Sequence, residues 1–247
     1  MTLVLLPGMD GTGTLFAPFL AALGDEFDVR VVRYPGDQPL GYSALEAIAQ
    51  RAIPDEGPYV LLGESFSGPI AVSLAAYAPE RLRGLILCCS FVKNPRPSLA
   101  GLRSLVNCLP LSLVPGRLLG HLLFGKFSTA MLCAALSRSL AEVTPATLAA
   151  RLEAVLSVDV SSQLLSVTAP TLYLLASDDR VVPRAASQFI SQISPNTQLA
   201  QLEAPHCLLQ TVPSEAAGVV KAFVHRVMQQ RPSAPAAATS SQHNGNG

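Results

Sequence analysis

The chain has 247 residues, of which 49% are hydrophobic and 14% charged, with Lys+Arg and Asp+Glu balanced at 17 each. That length fits one α/β domain carrying an insertion. A zero net charge without a basic cluster excludes the electrostatic footprint of a nucleic-acid binder, and no polybasic patch is present to hold anionic lipid.

The N-terminal run M-T-L-V-L-L-P-G lacks a basic leader, and Pro7 cuts it short, so it reads as a strand rather than a signal peptide. Further strand-like runs follow at 29–33, 59–63, 84–89, 171–176 and 197–202. Helical patterns lie between them, near 14–23, 43–52, 66–78, 183–193 and 214–229. Continuous apolar strands alternating with helices predict a mostly parallel sheet of about six strands covered on both faces. The rhythm breaks at 93–158, where leucines recur at helical spacing and Pro95, Pro97, Pro110, Pro115 and Pro145 divide the region into short helices. This segment is expected to be a helical insertion, with the core formed by 1–92 and 159–230. The low-complexity stretch 231–247 is expected to be disordered.

The apolar run 102–127 is interrupted by Arg103, Pro110, Pro115, Arg117, His121 and Lys126, so no transmembrane segment is expected. Five cysteines, Cys88, Cys89, Cys108, Cys133 and Cys207, are odd in number and two are adjacent. That pattern suits reduced thiols in a cytoplasmic protein better than a disulfide scaffold.

The stretch G-E-S-F-S-G (63–68) ends a strand and opens a helix. A serine on such a sharp turn holds its hydroxyl above the sheet, and its flanking positions must be small because two backbones approach closely. Centred on Ser65 the flanks are Gly63 and Ser67; centred on Ser67 they are Ser65 and Pro69, a much poorer fit. Ser65 is therefore the candidate nucleophile. It needs a base. Of the four histidines, His121 falls in the insertion, His225 in the last helix as a solvated side chain, and His243 in the tail. His206 follows the last strand, in the loop A-P-H-C. In a doubly wound sheet such loops gather at the strands' carboxyl ends. An acid must orient the base, and S-D-D-R-V-V-P after the preceding strand offers Asp178 and Asp179. Asp159 reads as a hinge or capping residue where the insertion rejoins the core. Cys207 reads as a packed side chain, with a nucleophilic role as its rival.

An oxyanion requires two backbone donors. Phe66 N–H, after the nucleophile, is one candidate; Met9 N–H, in the loop L-P-G-M-D-G-T-G, is the other. The same loop contains a partial dinucleotide fingerprint, G-T-G-T-L-F, with Phe16 in place of the third glycine and Arg33 and Tyr34 where an acid would end the second strand.

Together these residues resemble the α/β-hydrolase family. The chain order Ser65, Asp, His206 is that family's order. "S-D-D-R-V-V-P" looks like its acid loop, which implies Asp179 over Asp178. "A-P-H-C-L-L-Q-T-V-P" looks like its histidine loop, and "R-Y-P-G-D" (33–37) its proline–glycine loop. The insertion resembles its cap domain. Within the family, "L-P-G-M-D-G-T-G" with "G-E-S-F-S-G" is similar to small bacterial carboxylesterases and, more distantly, to plastid acyl-ester synthases. Two features depart from the pattern: Pro7-Gly8 stands for the usual His-Gly, and, with the sequence opening on the strand that leads into this loop, the sheet is expected to lack the family's first two strands.

The resemblance implies a serine hydrolase that cleaves a small-molecule carboxylic ester through an acyl-enzyme, with no metal and no cofactor. The apolar insertion suggests a hydrophobic acyl group, against the plain alternative that its leucines only pack on one another. Acyl transfer, thioester cleavage or methyl-ester cleavage on an acyl-carrier protein would use the same residues. The last would call for basic side chains beside the cleft, for which Arg103, Arg117, Arg138 and Arg151 are candidates. A non-catalytic binding protein on the same scaffold is the reading from another class. The sequence carries no signal for oligomeric state.

Overall fold

The computed structural model describes residues 1–77, 80–101 and 116–229. The tail expected to be disordered and much of the leucine run at 102–115 lie outside the described residues.

Six parallel strands form one sheet in the order β2-β1-β3-β4-β5-β6. They are β1 (Thr2–Leu6), β2 (Asp28–Val31), β3 (Tyr59–Glu64), β4 (Leu82–Cys88), β5 (Thr171–Asp178) and β6 (Thr197–Pro205). Each matches an apolar run read from the sequence to within three residues at either end. β1 and β3 are buried along their whole length, whereas the edge strand β2 alternates between exposed and half-buried positions. That contrast follows from position: central strands are covered on two faces, edge strands less completely.

Strand periodicity divides the core in two. Val4, Leu6, Leu61, Leu85, Leu87, Tyr173 and Leu175 face one side, where α2 (Tyr42–Gln50), α3 (Gly68–Tyr77), α7 (Ser161–Ser166) and α8 (Arg184–Ile193) pack. Leu3, Leu5, Val60, Leu62, Ile86, Leu172 and Leu174 face the other, under α1 (Ala17–Leu23) and α10 (Pro213–Gln229). α3 is buried from Gly68 to Ala75, which explains a sequence apolar on all sides.

Between β4 and β5 run α4 (Gly116–Phe124), α5 (Ala130–Ala141) and α6 (Pro145–Ser157). Thr129 and Thr144 cap α5 and α6 by accepting the backbone N–H groups of Leu132 and Thr147. An isolated antiparallel bridge between Lys93 and Asp159 closes the base of this segment. Asp159 accepts the Ser161 N–H at 2.9 Å as α7 begins. The short α9 (Leu208–Thr211) precedes α10. No helix among the described residues is long and apolar enough to cross a membrane.

The chain leaves β1 toward β2 on one side and returns to β3 on the other. That reversal opens a crevice at the carboxyl ends of β1 and β3.

Candidate active site

Ser65 stands at the end of β3, in a 3-10 turn (Ser65–Ser67) that leads into α3. Its φ is +46°, in the left-handed region that non-glycine residues rarely occupy. A residue held there stores about 1–3 kcal/mol of backbone strain and persists only where its surroundings impose it. They do so here. Ser90 Oγ–H donates to the Ser65 carbonyl at 2.5 Å, and Tyr42 O–H donates to the Phe66 carbonyl at 3.0 Å. A Cβ on Gly63 would lie 2.8 Å from both Ala71 Cβ and the Ser67 carbonyl oxygen; one on Gly68 would run into Ser90 Oγ. The small flanks are thus a packing requirement of the turn.

Ser65 Oγ lies 2.8 Å from His206 Nε2. His206 Nδ1 lies 2.9 Å from Asp179 Oδ2 and 3.0 Å from Oδ1. His206 is 5% exposed, and both side chains of the His206–Asp179 pair are shielded from solvent. The Asp179 carboxylate also accepts the N–H groups of Val181 and Val182, each at 2.9 Å, which fixes its orientation. An ionised carboxylate at Nδ1 holds the ring proton there and leaves Nε2 as an acceptor for a hydroxyl proton. Asp178 instead points outward, pairs with Arg180 at 3.3 Å and is half-exposed. A register shift between Ala176 and Asp178 at the end of β5 separates the two carboxylates.

Ser67 is fully buried and turned away from the histidine. Its hydroxyl donates to the Pro7 carbonyl and lies 3.0 Å from Tyr34 Oη. It therefore ties the elbow to the loop after β1. Cys207 is buried and desolvation pushes its thiol well above the ordinary range, the opposite of what a nucleophile needs. His121 contacts Arg180 at 3.0 Å and His225 contacts Glu26 at 2.5 Å, both at the surface; His243 lies outside the described residues.

Met9, Ser65 and His206 line one cavity of about 530 Å³. Most of its wall is apolar, with Leu119, Leu123, Leu136, Leu140, Leu148 and Leu152 contributed by α4, α5 and α6. The dinucleotide reading of the first loop does not fit. The space beside Gly11 is filled by the Arg151 guanidinium, with Nη1 2.6 Å from where a Cβ would stand, and that beside Gly13 by Val31. The glycines admit protein side chains rather than a pyrophosphate.

Sequence reading passed over three polar residues in this wall. Glu64, beside Ser65, accepts from Gln210 Nε2 at 2.9 Å, and burial, reinforced by nearby Asp10, pushes its carboxyl up to about 7. Asp10 Oδ2 accepts from the Thr12 and Ser139 hydroxyls at 2.6 and 2.7 Å. Only the tertiary fold joins residues this distant, so no local pattern marks them. Arg151, grouped by sequence with arginines open to a partner, is completely buried.

The model of the alpha/beta hydrolase family matches residues 3–222. "Putative carbamate hydrolase RutD" of Serratia proteamaculans is 28% identical over 225 residues, covering 81% of this chain and 82% of that protein. A pimeloyl-[acyl-carrier protein] methyl ester esterase of Nitrosomonas europaea is 28% identical over 221 residues, covering 83% and 87%. Among solved structures, the enol-lactonase of Burkholderia xenovorans LB400 superposes with a TM-score of 0.79 at 17% identity over 91% of each chain, a likeness of fold.

Proposed function

The chain belongs to the alpha/beta hydrolase family, and on that premise we propose that it is a serine hydrolase of carboxylic esters with a hydrophobic acyl group. The 2.8 Å approach of Ser65 Oγ to His206 Nε2, with Asp179 behind the ring, carries this reading. Ser65 Oγ attacks the ester carbonyl carbon while its proton passes to His206 Nε2. The carbonyl π pair moves onto oxygen, held by the N–H groups of Met9 and Phe66. Collapse expels the alcohol, which takes the proton from His206, and leaves an acyl-Ser65. Water, deprotonated by His206, then releases the acid. Asp179 holds the tautomer and stabilises the imidazolium.

The esterase and carbamate hydrolase named among the relatives support hydrolysis at an acyl carbon. The apolar wall supports an acyl chain as the bound portion. Cleavage on an acyl-carrier protein gains nothing from Arg151, whose charge is buried; Arg138 remains exposed, and Arg103 lies outside the described residues.

The test is turnover of p-nitrophenyl butyrate by wild type, Ser65→Ala and Ser67→Ala. We expect loss of several orders of magnitude in the first variant and near wild-type turnover in the second. A wild type inert on every ester, or a Ser65→Ala variant that retains its rate, would end this reading.

A further inference from the structure

Among the described residues Arg151 is the largest fully buried side chain, and none of their carboxylates is in hydrogen-bonding contact with it. Burying a guanidinium costs several kcal/mol unless its donors are satisfied, and an apolar side chain of similar size usually serves packing as well. Burial pulls its pKa down while Asp10 opposes that shift. Such a group calls for a role beyond filling space.

Its contacts give one. Arg151 extends from α6, between β4 and β5, to the loop after β1. Nη1 donates to the Met9 and Asp10 carbonyls, both at 2.8 Å, and Nη2 donates to the Pro35 carbonyl at 2.9 Å. The neighbouring carbonyls are also engaged: Gly8 accepts from Gly11 N–H at 3.0 Å, and Gly11 accepts from Tyr34 N–H at 2.8 Å. Four consecutive carbonyls, from Gly8 to Gly11, are thus fixed.

In a trans peptide the C=O and the following N–H point in opposite directions. Fixing the Gly8 carbonyl therefore sets the direction of Met9 N–H, and fixing the Met9 carbonyl sets that of Asp10 N–H. Met9 N–H has no hydrogen-bond partner among the described residues. Gly8, Met9 and Asp10 line the cavity together with Ser65 and His206. Gly11, at φ +71°, leaves the room that the guanidinium occupies.

We propose that Arg151 is a positioning residue for the oxyanion site: its hold on the Met9 carbonyl sets Asp10 N–H directly, and its hold on the Asp10 carbonyl sets Gly11 N–H, whose bond to the Gly8 carbonyl in turn sets Met9 N–H, so that the loop stays aimed at the oxygen that becomes negative during acyl transfer. The inference rests on the hydrolase reading of Ser65. It makes the helical segment that supplies Arg151 part of the transition-state machinery as well as a wall of the pocket. A lysine cannot replace the fork, because one ammonium does not span three carbonyls in fixed directions.

The experiment compares wild type, Arg151→Lys and Arg151→Met by p-nitrophenyl butyrate kinetics and by the affinity of two octyl ketones. The trifluoromethyl ketone adds Ser65 Oγ at its carbonyl carbon, passes the proton to His206 and places an oxyanion in the hole; the methyl ketone binds without that charge. Removing one oxyanion donor costs on the order of a hundredfold in kcat or more. For Arg151→Met we expect kcat to fall about 10- to 100-fold, with KM within about threefold, and trifluoromethyl ketone affinity to fall in parallel, while methyl ketone affinity holds. Arg151→Lys, which retains the stem and the charge, should show the same pattern in milder form and remains informative if the Met variant does not fold. Folded variants that keep kcat and trifluoromethyl ketone affinity within twofold of wild type overturn the proposal alone. So does equal loss of both ketones, which marks general collapse of the pocket. A wild type with neither turnover nor a preference for the trifluoromethyl ketone removes the hydrolase reading, and this inference with it.

Discussion

Acyl-chain length is the most informative variable to change on the substrate. The cavity that meets Ser65 is about 530 Å³, within the roughly 300–1,000 Å³ range of ordinary ligand pockets, and leucines from three helices dominate its wall. Each methylene moved from water into such a wall is worth about 0.8 kcal/mol. Since about 1.4 kcal/mol is tenfold in rate, that is roughly a fourfold rise in kcat/KM per added methylene if the chain is buried equally in ground and transition states. From acetate to hexanoate, four methylenes, the full effect is about 3 kcal/mol, or on the order of 200-fold. Part of that gain is offset by ordering the chain, so the slope is an upper bound. Initial rates on p-nitrophenyl esters from two to twelve carbons, taken well below KM, give the profile directly. We expect a rise over the first several methylenes and a plateau where the cavity is full. Leu148→Asn, which puts an amide in the wall, should flatten the slope on long esters and leave acetate nearly unchanged. A profile that is flat or falls from acetate onward would refute the assignment of this cavity to an acyl chain.

Three further outcomes follow from the same geometry. Asp179→Asn should lower kcat by about 10³ to 10⁴ by removing the acceptor that fixes the histidine tautomer; Asp178→Asn, whose partner is the exposed Arg180, should stay within a few-fold of wild type in the same assay. Ser67→Ala should remain active but lose about 1–3 kcal/mol in urea unfolding, because the buried Pro7 carbonyl and Tyr34 hydroxyl lose a partner. Glu64 titrates in the folded protein near pH 7 against an ordinary value of 4.5. Between those values the unfolded chain has released this proton and the folded chain has kept it, so Glu64 lowers stability as pH rises, by about 3 kcal/mol once pH passes 7. Glu64→Gln, which keeps the carbonyl acceptor for Gln210, should therefore gain on wild type in urea midpoint from pH 5 to pH 8; a constant difference between the two proteins would contradict this account of Glu64.

The strands were legible because each central strand is buried on both faces and is therefore an unbroken apolar run, such as T-L-V-L-L at 2–6 or G-L-I-L-C-C at 84–89. Parallel order then placed every strand's carboxyl end on one side, so a serine after β3 and a histidine after β6 had to share a rim. The choice between Asp178 and Asp179 was not local in this sense. It depends on a shift in strand register that turns one carboxylate inward and the next outward, and sequence favoured Asp179 only through family resemblance. The Arg151 clamp was illegible for a related reason. Its three partners lie more than a hundred positions away, and they are backbone carbonyls, whose direction no residue type announces. Asp10 in the loop after β1, Glu64 at the end of β3 and Gln210 in α9 likewise come together only in the folded chain.

The central claim is that Ser65 Oγ is the atom that accepts the acyl group. Treatment with a fluorophosphonate, followed by digestion and peptide mass mapping, tests it without knowledge of the natural substrate. We expect one adduct, on Ser65 within the G-E-S-F-S-G peptide, present in wild type and Ser67→Ala and absent in Ser65→Ala and His206→Ala. An unlabelled wild type, or an adduct that maps to Ser67 or Cys207, would contradict it.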